Sequence, residues 1–343
     1  MSHYTVLVVG DNVEDQLAPF HEFECTGYDD KYVQEISCLD RAKEAYDAYL
    51  TQRKKEKKKG RSRTFLAFVK DYYGSKPLVE SRNLCDVDPQ IDKYKYGWII
   101  VDVKEVVDVV RRTNPNAKWD WYEVGGRWGG FFKLKPGVVS EADETEDIAD
   151  RKANVEPPVR KVLDEALAGS DLKLIDGSKE KEPGTSNRCL KRNIDIQRMR
   201  EEAANEAREY WRKVAEVTRS QTWRPWSEYL AKPDYEDHIE LYRRMYWAQP
   251  PLARLKKSKL LGFFDKADEF HGITEEEYVE DAINGALSPY GFIRDYQWTA
   301  QGEMGWWGMS SDDMSSRQWN KKFREMFDDL ADDTLLTLVD CHI

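Results

Sequence analysis

Thr-Leu-Leu-Thr-Leu-Val at 334–339 is one of the longest apolar runs in the chain. A run that is apolar on both faces of a strand predicts a central, buried strand. The sequence before it predicts five further elements, which are a strand at 259–264, a helix from the capping box Thr274–Glu277, a strand at 290–293, a strand from Gln297 and a helix from the capping box Ser315–Gln318. This β-α-β-β-α-β order is typical of a ferredoxin-like unit.

The N-terminal part of the chain predicts a looser version of the same order. Its elements are a strand at 4–9, a helix at 40–52, a strand or helix at 64–69, a strand at 97–101, a helix at 103–112 and a hairpin at 119–134. The helix at 103–112 depends on Asp102 and Glu105, which have the spacing of a capping box.

The composition changes between these two parts. Residues 136–192 are acidic and contain several prolines, as in a surface linker, whereas 193–219 carry an apolar stripe at helical spacing. We therefore expect an α+β protein with two ferredoxin-like units, each with an antiparallel sheet, and a helical insertion between them. The expected parts are an N-terminal unit at 1–135, the linker and helical insertion at 136–255, and a C-terminal unit at 256–343.

The chain of 343 residues has the composition of a folded protein and a formal charge of −11. No apolar run approaches the roughly 20 residues of a membrane helix, and the N-terminus lacks the basic and apolar regions of a signal peptide. The five cysteines are odd in number and widely spaced, as is usual for free thiols in a reducing compartment. We therefore expect a cytoplasmic protein with no membrane partner.

The charge is unevenly distributed, because residues 53–63 read RKKEKKKGRSR. A short lysine run is usually the solvated end of a helix, and this is the interpretation that we favour. The alternative is an anchor for nucleic acid or another acidic partner, which predicts binding that falls steeply with salt.

The residues best suited to bind a ligand lie in the aromatic, glycine-rich stretch 119–130. Its glycines allow a ligand to approach the backbone, and Arg127 has the shape to bind a phosphate or carboxylate in a bidentate pair. The alternative is a tight structural hairpin whose tryptophans belong to the core. The candidate residues from this stretch are Asp120, Trp121, Tyr122, Glu123, Arg127 and Trp128.

A second aromatic cluster contains Glu303, Trp306 and Trp307, again beside glycines. Aromatic core beside a strand is the simpler explanation. If the two units pack as a pseudo-dimer, however, this loop and the stretch 119–130 would line one cleft. An aromatic cleft with an arginine and carboxylates suits a planar polar ligand such as a nucleotide.

The third candidate is the C-terminal sequence DCHI at 340–343. Asp340 and His342 share one face of a strand, opposite Cys341. A Cys-His-Asp nucleophilic site or a metal site that includes His271 is conceivable, but adjacent strand residues point apart and buried cysteines are usually inert. We therefore include only His342 as a ligand-binding candidate and assign no catalytic residue, metal ligand or cofactor.

Five motifs run from end to end of the chain, which are HEFECTG at 21–27, WDWYEVGGRW at 119–128, NIDI at 193–196, GEMGWWG at 302–308 and DTLLTLVDCHI at 333–343. In these motifs the chain resembles a family of hypothetical proteins from tailed bacteriophages and some bacteria. The resemblance implies a phage or prophage setting in a bacterial cytoplasm, and it brings no catalytic residue with it.

The leading hypothesis is a phage accessory protein that binds a host factor or a nucleotide-like ligand, with a role in counter-defence. The alternative is a hydrolase or transferase acting on nucleotides or nucleic acid. An enzyme of this kind predicts that several polar side chains converge in a pocket, chosen from Glu123, Arg127, Glu303, His271 and His342.

Overall fold

The computed structural model describes residues 2–22, 30–56, 62–74, 76–138, 184–262, 267–305 and 310–343. Within these ranges the chain is a mixed α+β structure with several sheets. The strands are β1 (His3–Val9), β2 (Gln34–Ser37), β3 (Leu78–Glu80), β4 (Gly97–Asp102), β5 (Glu105–Thr113), β6 (Trp121–Val124), β7 (Phe132–Lys133), β8 (Thr185–Ser186), β9 (Arg188–Leu190), β10 (Gly291–Arg294), β11 (Gln297–Ala300), β12 (Gly302–Met304), β13 (Ser310–Asp312) and β14 (Leu335–His342). The helices are α1 (Val13–Leu17), α2 (Leu39–Lys55), α3 (Phe65–Tyr72), α4 (Ile196–Thr218), α5 (Trp226–Leu230), α6 (Ile239–Ala248), α7 (Pro250–Ser258), α8 (Glu275–Gly285) and α9 (Ser316–Asp328).

The largest sheet joins the two ends of the chain. Its strand order is β11-β10-β1-β14-β6, and β9 pairs with β14 on the same side as β6. Strand β1 runs parallel to β10 and antiparallel to β14, with His3 opposite His342 and Val9 opposite Leu336. Nearly every residue of β14 is buried, so the central strand predicted at 334–339 is confirmed.

The two ferredoxin-like units are not confirmed. Strand β1, which the sequence assigns to the N-terminal unit, is hydrogen-bonded on both sides to C-terminal strands, β10 and β14. Strand β6 joins the same sheet through β14. An alternating sequence shows which face of a strand is buried but not which strand lies beside it, so sheet membership was not predictable from these patterns.

Both faces of this sheet are covered. On one face, Leu7 and Leu338 belong to a buried cluster with Trp319, Phe323 and Phe327, which α9 presents at four-residue spacing. On the other face, strand residues such as Val6, Val339 and Cys341 pack with Leu17 of α1 and with Trp119.

The capping boxes predicted for the two C-terminal helices are both present. In α9, Ser315 Oγ accepts a hydrogen bond from the Gln318 backbone, and Gln318 Oε1 accepts one from the Ser315 backbone. The reciprocal bonds between Thr274 and Glu277 begin α8 in the same way.

A second sheet, with strand order β2-β5-β4-β3, packs against α2 and α3. The helix predicted at 103–112 is wrong, because this segment is β5 and forms a hairpin with β4. Val103 and Lys104 connect the two strands with positive φ angles of 44° and 73°, which suits the twist of a two-residue hairpin. Asp102 and Glu105 face each other across this hairpin instead of capping a helix. Residues 65–69 belong to a helix, α3, which decides the strand-or-helix alternative.

The hairpin predicted at 119–134 is also wrong. Strand β6 pairs with β14, whereas β7 pairs with β8. The glycine-rich residues between β6 and β7 lead the chain out of the largest sheet, so β7 does not pair with β6.

The strand predicted at 259–264 is absent from its described part, 259–262, and the remainder lies outside the described residues.

The helix predicted at 193–219 is confirmed as α4, which begins where Asp195 Oδ1 accepts a hydrogen bond from the Arg198 backbone. The C-terminal half of α4 packs with α5, α6 and α7 in an aromatic cluster. The predicted linker at 136–192 lies mostly outside the described residues, and its described end contains β8 and β9. None of the described helices is both long and apolar enough to cross a membrane.

Candidate functional site

Two histidine–aspartate pairs lie at one end of the largest sheet, where β1 begins and β14 ends. His3 Nδ1 is 3.0 Å from Asp340 Oδ1, and His342 Nδ1 is 2.7 Å from Asp120 Oδ1. We call these four residues the His–Asp cluster. An ionised carboxylate can only accept hydrogen bonds, so each Nδ1 carries a hydrogen and donates it to its aspartate. The pairs meet because β1 and β14 place His3 and His342 opposite each other.

The two imidazole rings contact each other and a tryptophan. The ring centroids of His3 and His342 are 4.8 Å apart at a steep angle, and Trp121 stacks on His342 with a centroid distance of 4.8 Å. Trp121 is 44% exposed and His342 only 1%, so the indole covers the imidazole. His342 Nε2 is buried and has no hydrogen-bond partner among the described residues. In a neutral imidazole protonated at Nδ1, this nitrogen is an acceptor.

Asp340 connects the cluster to the residues after β6. Asp340 is only 1% exposed. Besides the bond from His3, its carboxylate accepts a hydrogen bond of 3.1 Å from the Arg127 backbone N–H. Residues 125–128, which we call the glycine turn, lie directly against this side chain. A Cβ on Gly126 would be 2.5 Å from Asp340 Cβ, and the φ of Gly126 is +45°. Only glycine allows the backbone to approach Asp340 so closely in this conformation.

The other end of the glycine turn is also fixed. Gly125 has a φ of +74°, and its N–H donates to the Leu338 carbonyl of β14 over 2.8 Å. A Cβ on Gly125 would collide with the side chain of Asn187, whose Oδ1 accepts a bond from the Gly130 backbone. The turn is therefore held by backbone contacts, and its side chains are left to point outward.

Arg127 and Trp128 are the exposed side chains of the glycine turn. Within the part of the chain that the structure describes, no hydrogen bond or ion pair of the Arg127 guanidinium is found, although its backbone is bound to Asp340. A cationic, bidentate donor is thus presented to solvent from a rigid backbone.

The structure brings together several of the residues that the sequence singled out. Asp120, Trp121 and His342 are in mutual contact, and Glu123 lies on β6 opposite Asp340. Tyr122 lies on the other face of the sheet, where it packs edge-on against Trp119 and belongs to a different buried cluster.

Glu303 forms an ion pair of 2.8 Å with Lys118. The hydrogen bond from this ammonium lowers the pKa of the Glu303 carboxyl. The neighbouring Gly305 carbonyl accepts a bond of 2.8 Å from Ser2 Oγ, so this loop reaches the residue before His3. Trp306 and Trp307 lie outside the described residues, so the cleft between the two aromatic loops stays a prediction.

Two members of the cluster were not among the ligand-binding candidates, His3 and Asp340. The sequence places Asp340 on the same strand face as His342, and this placement is confirmed by the register with β1 and β6. For His3, the sequence shows only that it stands at the start of a buried strand. His3 becomes a candidate for the site once β1 is known to pair with β14, because this pairing places it opposite His342.

Cys341 and His271 have different surroundings from His342. Cys341 is fully buried on the opposite face, and burial raises the pKa of its thiol, so it is not an available nucleophile. His271 packs near Trp223, with the aromatic cluster of the helical region. The described ranges contain no group of three His, Cys, Asp or Glu side chains that could hold a metal ion.

Comparison with known proteins gives no further guide to this site. No protein-family model matches the chain, and neither does any curated protein or solved structure. The resemblance to a bacteriophage family therefore remains a prediction from the sequence.

Proposed function

We propose that the protein binds a planar, anionic ligand of the nucleotide type through Arg127, Trp121 and Trp128. The observation that carries this proposal is the exposed Arg127 guanidinium on a turn whose backbone is fixed by the buried Asp340. A guanidinium binds a phosphate in a bidentate pair, and exposed indole rings provide surfaces on which a base can stack.

The rigidity of the glycine turn supports binding. A side chain presented from a fixed backbone loses less conformational entropy when a ligand arrives than one on a free loop. Asp340, Asn187 and the Leu338 carbonyl together fix the backbone from Gly125 to Gly130. The backbone of the turn therefore does not have to be ordered when the ligand binds.

The biological setting that we propose is a phage accessory protein in the cytoplasm of a bacterial host, with a role in counter-defence. The support for this setting is the resemblance of the sequence motifs. A host protein is the other ligand that this surface suits, since exposed tryptophan and arginine are common at the centres of protein interfaces. Nucleic-acid binding through residues 53–63 stays a prediction, and 57–61 lie outside the described residues.

Replacing Arg127 with alanine tests the proposal. We expect nucleoside mono- and triphosphates to quench the tryptophan fluorescence of the wild-type protein, and the Arg127→Ala variant to bind them about tenfold or more weakly. The loss follows from the charge-assisted hydrogen bonds of the guanidinium. Arg244→Ala is the matched control, because Arg244 is an exposed arginine on α6. Equal affinity in both variants, or no quenching of the wild type at millimolar nucleotide, would reject the proposal.

The His342–Asp120 pair favours a second candidate function, a hydrolase or transferase acting on nucleotides or nucleic acid. A carboxylate that holds Nδ1 leaves Nε2 as a base, as in catalytic histidine–aspartate pairs. A substrate would reach this nitrogen after Trp121 moves from the imidazole face.

The test of this candidate is a comparison of nucleotide hydrolysis by the wild type and His342→Gln. We expect the variant to hydrolyse nucleotides about 10²–10⁴-fold more slowly, as for the loss of other general bases, while its nucleotide affinity changes little. His238→Gln, which alters an exposed histidine on the surface, is the control and should leave the rate unchanged. A His342→Gln variant that retains the wild-type rate, or a wild type without turnover, would exclude an enzyme of this kind.

A further inference from the structure

A cavity of about 240 Å³ lies between the C-terminal half of α4 and residues 270–273. Helix α4 contributes Trp211, Val214 and Ala215, which are neighbours on one face of the helix. Trp223, Phe270 and His271 complete the aromatic part of the wall. None of the described residues that line the cavity is a lysine, arginine, aspartate or glutamate.

The aromatic walls are held in place by their neighbours. The ring centroids of Trp211 and Phe270 are 5.8 Å apart, and Phe270 packs against Tyr278 at 5.0 Å. Trp223 lies 5.8 Å from His271 between ring centroids. The cavity is thus lined by aromatic rings whose positions are fixed before any ligand binds.

A carboxylate lies at the edge of one of these rings, Trp223. Asp268 Oδ1 accepts hydrogen bonds from Trp223 Nε1 (3.0 Å) and from the Tyr246 hydroxyl (2.7 Å), and Oδ2 accepts one from the Trp226 backbone (2.6 Å). Burial, followed by the bond to Asp268, raises the pKa of Tyr246, which therefore remains a donor. Hydrogen bonding to an anion polarises the indole and makes the face of its ring more negative.

We propose that this cavity binds a small quaternary ammonium cation between Trp211, Trp223 and Phe270. Aromatic faces attract a cation, and the charge of Asp268 at the edge of Trp223 adds to that attraction on the aromatic side. Arg254, bonded to Thr218 and Gln221, opposes a cation on the other side, so the ligand is expected against the rings. A quaternary ammonium has no N–H group, so it loses no hydrogen bond in a wall without acidic side chains. A primary ammonium or an anion would find hydroxyl and amide groups at Thr218, Ser220, Gln221 and Thr222, but no side chain of opposite charge in the wall.

The decisive comparison is between choline and 3,3-dimethyl-1-butanol, which has the same shape and no charge. Each is titrated into the full chain by calorimetry, with tryptophan fluorescence as a second readout. We expect choline to bind about tenfold or more tightly than the alcohol because only choline interacts with the ring quadrupoles. Equal affinities, or no binding of choline at millimolar concentration, would overturn the proposal.

Substitutions in the wall of the cavity test whether choline binds there. Trp223→Leu should abolish choline binding, and Asp268→Asn should weaken choline binding while leaving the affinity for the alcohol unchanged. Ala215→Leu fills the cavity without removing an aromatic ring and should exclude choline from a folded protein, as checked by thermal unfolding. Tyr72→Leu removes an exposed aromatic ring on α3 that does not line the cavity; it is the control and should bind choline normally. Choline affinity that survives Ala215→Leu in a folded variant would place the binding elsewhere and overturn the proposal.

A quaternary ammonium can come from a free metabolite or from a lipid headgroup. Phosphatidylcholine vesicles are therefore titrated beside free choline. Binding of choline alone assigns a soluble ligand, whereas vesicle binding that Ala215→Leu removes assigns the headgroup. Both results support the site when free choline binds, and no binding of free choline at millimolar concentration overturns it.

Discussion

Replacing Asp340 with alanine is expected to lower the free energy of unfolding by about 3–5 kcal/mol, because two hydrogen bonds to a buried carboxylate, each contributing about 1.5–3 kcal/mol, are lost. The carboxylate is almost fully buried and accepts hydrogen bonds from His3 Nδ1 and the Arg127 backbone. The variant leaves both donors without a partner inside the protein, where an unsatisfied polar group is costly. Urea unfolding followed by circular dichroism measures the loss.

Asp120→Ala is the matched control for this prediction. Asp120 forms the equivalent pair with His342, but its side chain is 41% exposed, so water replaces much of what the variant removes. We expect Asp120→Ala to lower the unfolding free energy by about 1–2 kcal/mol, because the buried His342 ring loses one hydrogen bond that water can partly replace. Equal losses for the two variants would show that Asp340 is not the anchor of the glycine turn. Asp340→Asn, which keeps one acceptor and the volume, should lie between them.

The elements that the sequence predicted correctly are those with an apolar pattern repeated over many helical turns or with the residue spacing of a capping box. Helix α4 has an apolar stripe over six turns, and the capping boxes of α8 and α9 are formed by residues three apart. Strand β5 was mistaken for a helix because Asp102 and Glu105 imitate a capping box. Its turn, Val103-Lys104, has positive φ angles without the glycine or asparagine that usually reveals such a turn.

The candidate site was predictable to the extent that its residues lie in one sequence segment. Asp120, Trp121 and Arg127 stood out because aromatic, charged and glycine residues are adjacent in the chain. The pairing of His3 with Asp340 was not predictable, because it depends on the first and last strands lying side by side. Such a contact is determined by packing of the whole sheet and leaves no local pattern.

The stretch 119–130 is not a tight hairpin, because β6 pairs with β14, yet part of it is structural. Its glycines have a structural function, because Gly125 and Gly126 allow the backbone to contact Asn187 and Asp340. Its side chains are not all core, because Trp121 and Trp128 are exposed whereas Trp119 is buried. The structural glycines therefore determine where a ligand-binding arginine would be presented.

Replacing Gly126 with alanine should have the second large effect, on both stability and ligand binding. The φ of +45° costs an L-residue about 1–2 kcal/mol. The new Cβ would also be 2.5 Å from Asp340 Cβ, and relieving that contact in a packed site costs about 1–3 kcal/mol more. Because the Arg127 N–H is bonded to the same aspartate, the turn must shift, and we expect nucleotide affinity to fall with stability.

Gly74→Ala separates the two causes of this loss. Gly74 has a φ of +63° and no atom within 4 Å of the position of a Cβ, so its variant carries only the backbone strain. We expect Gly74→Ala to lose about 1–2 kcal/mol in urea unfolding and to bind nucleotides like the wild type. The additional loss in Gly126→Ala then measures the contact with Asp340. If the two glycine variants lost the same stability and both kept nucleotide affinity, the close packing of the glycine turn on Asp340 would not be what positions Arg127.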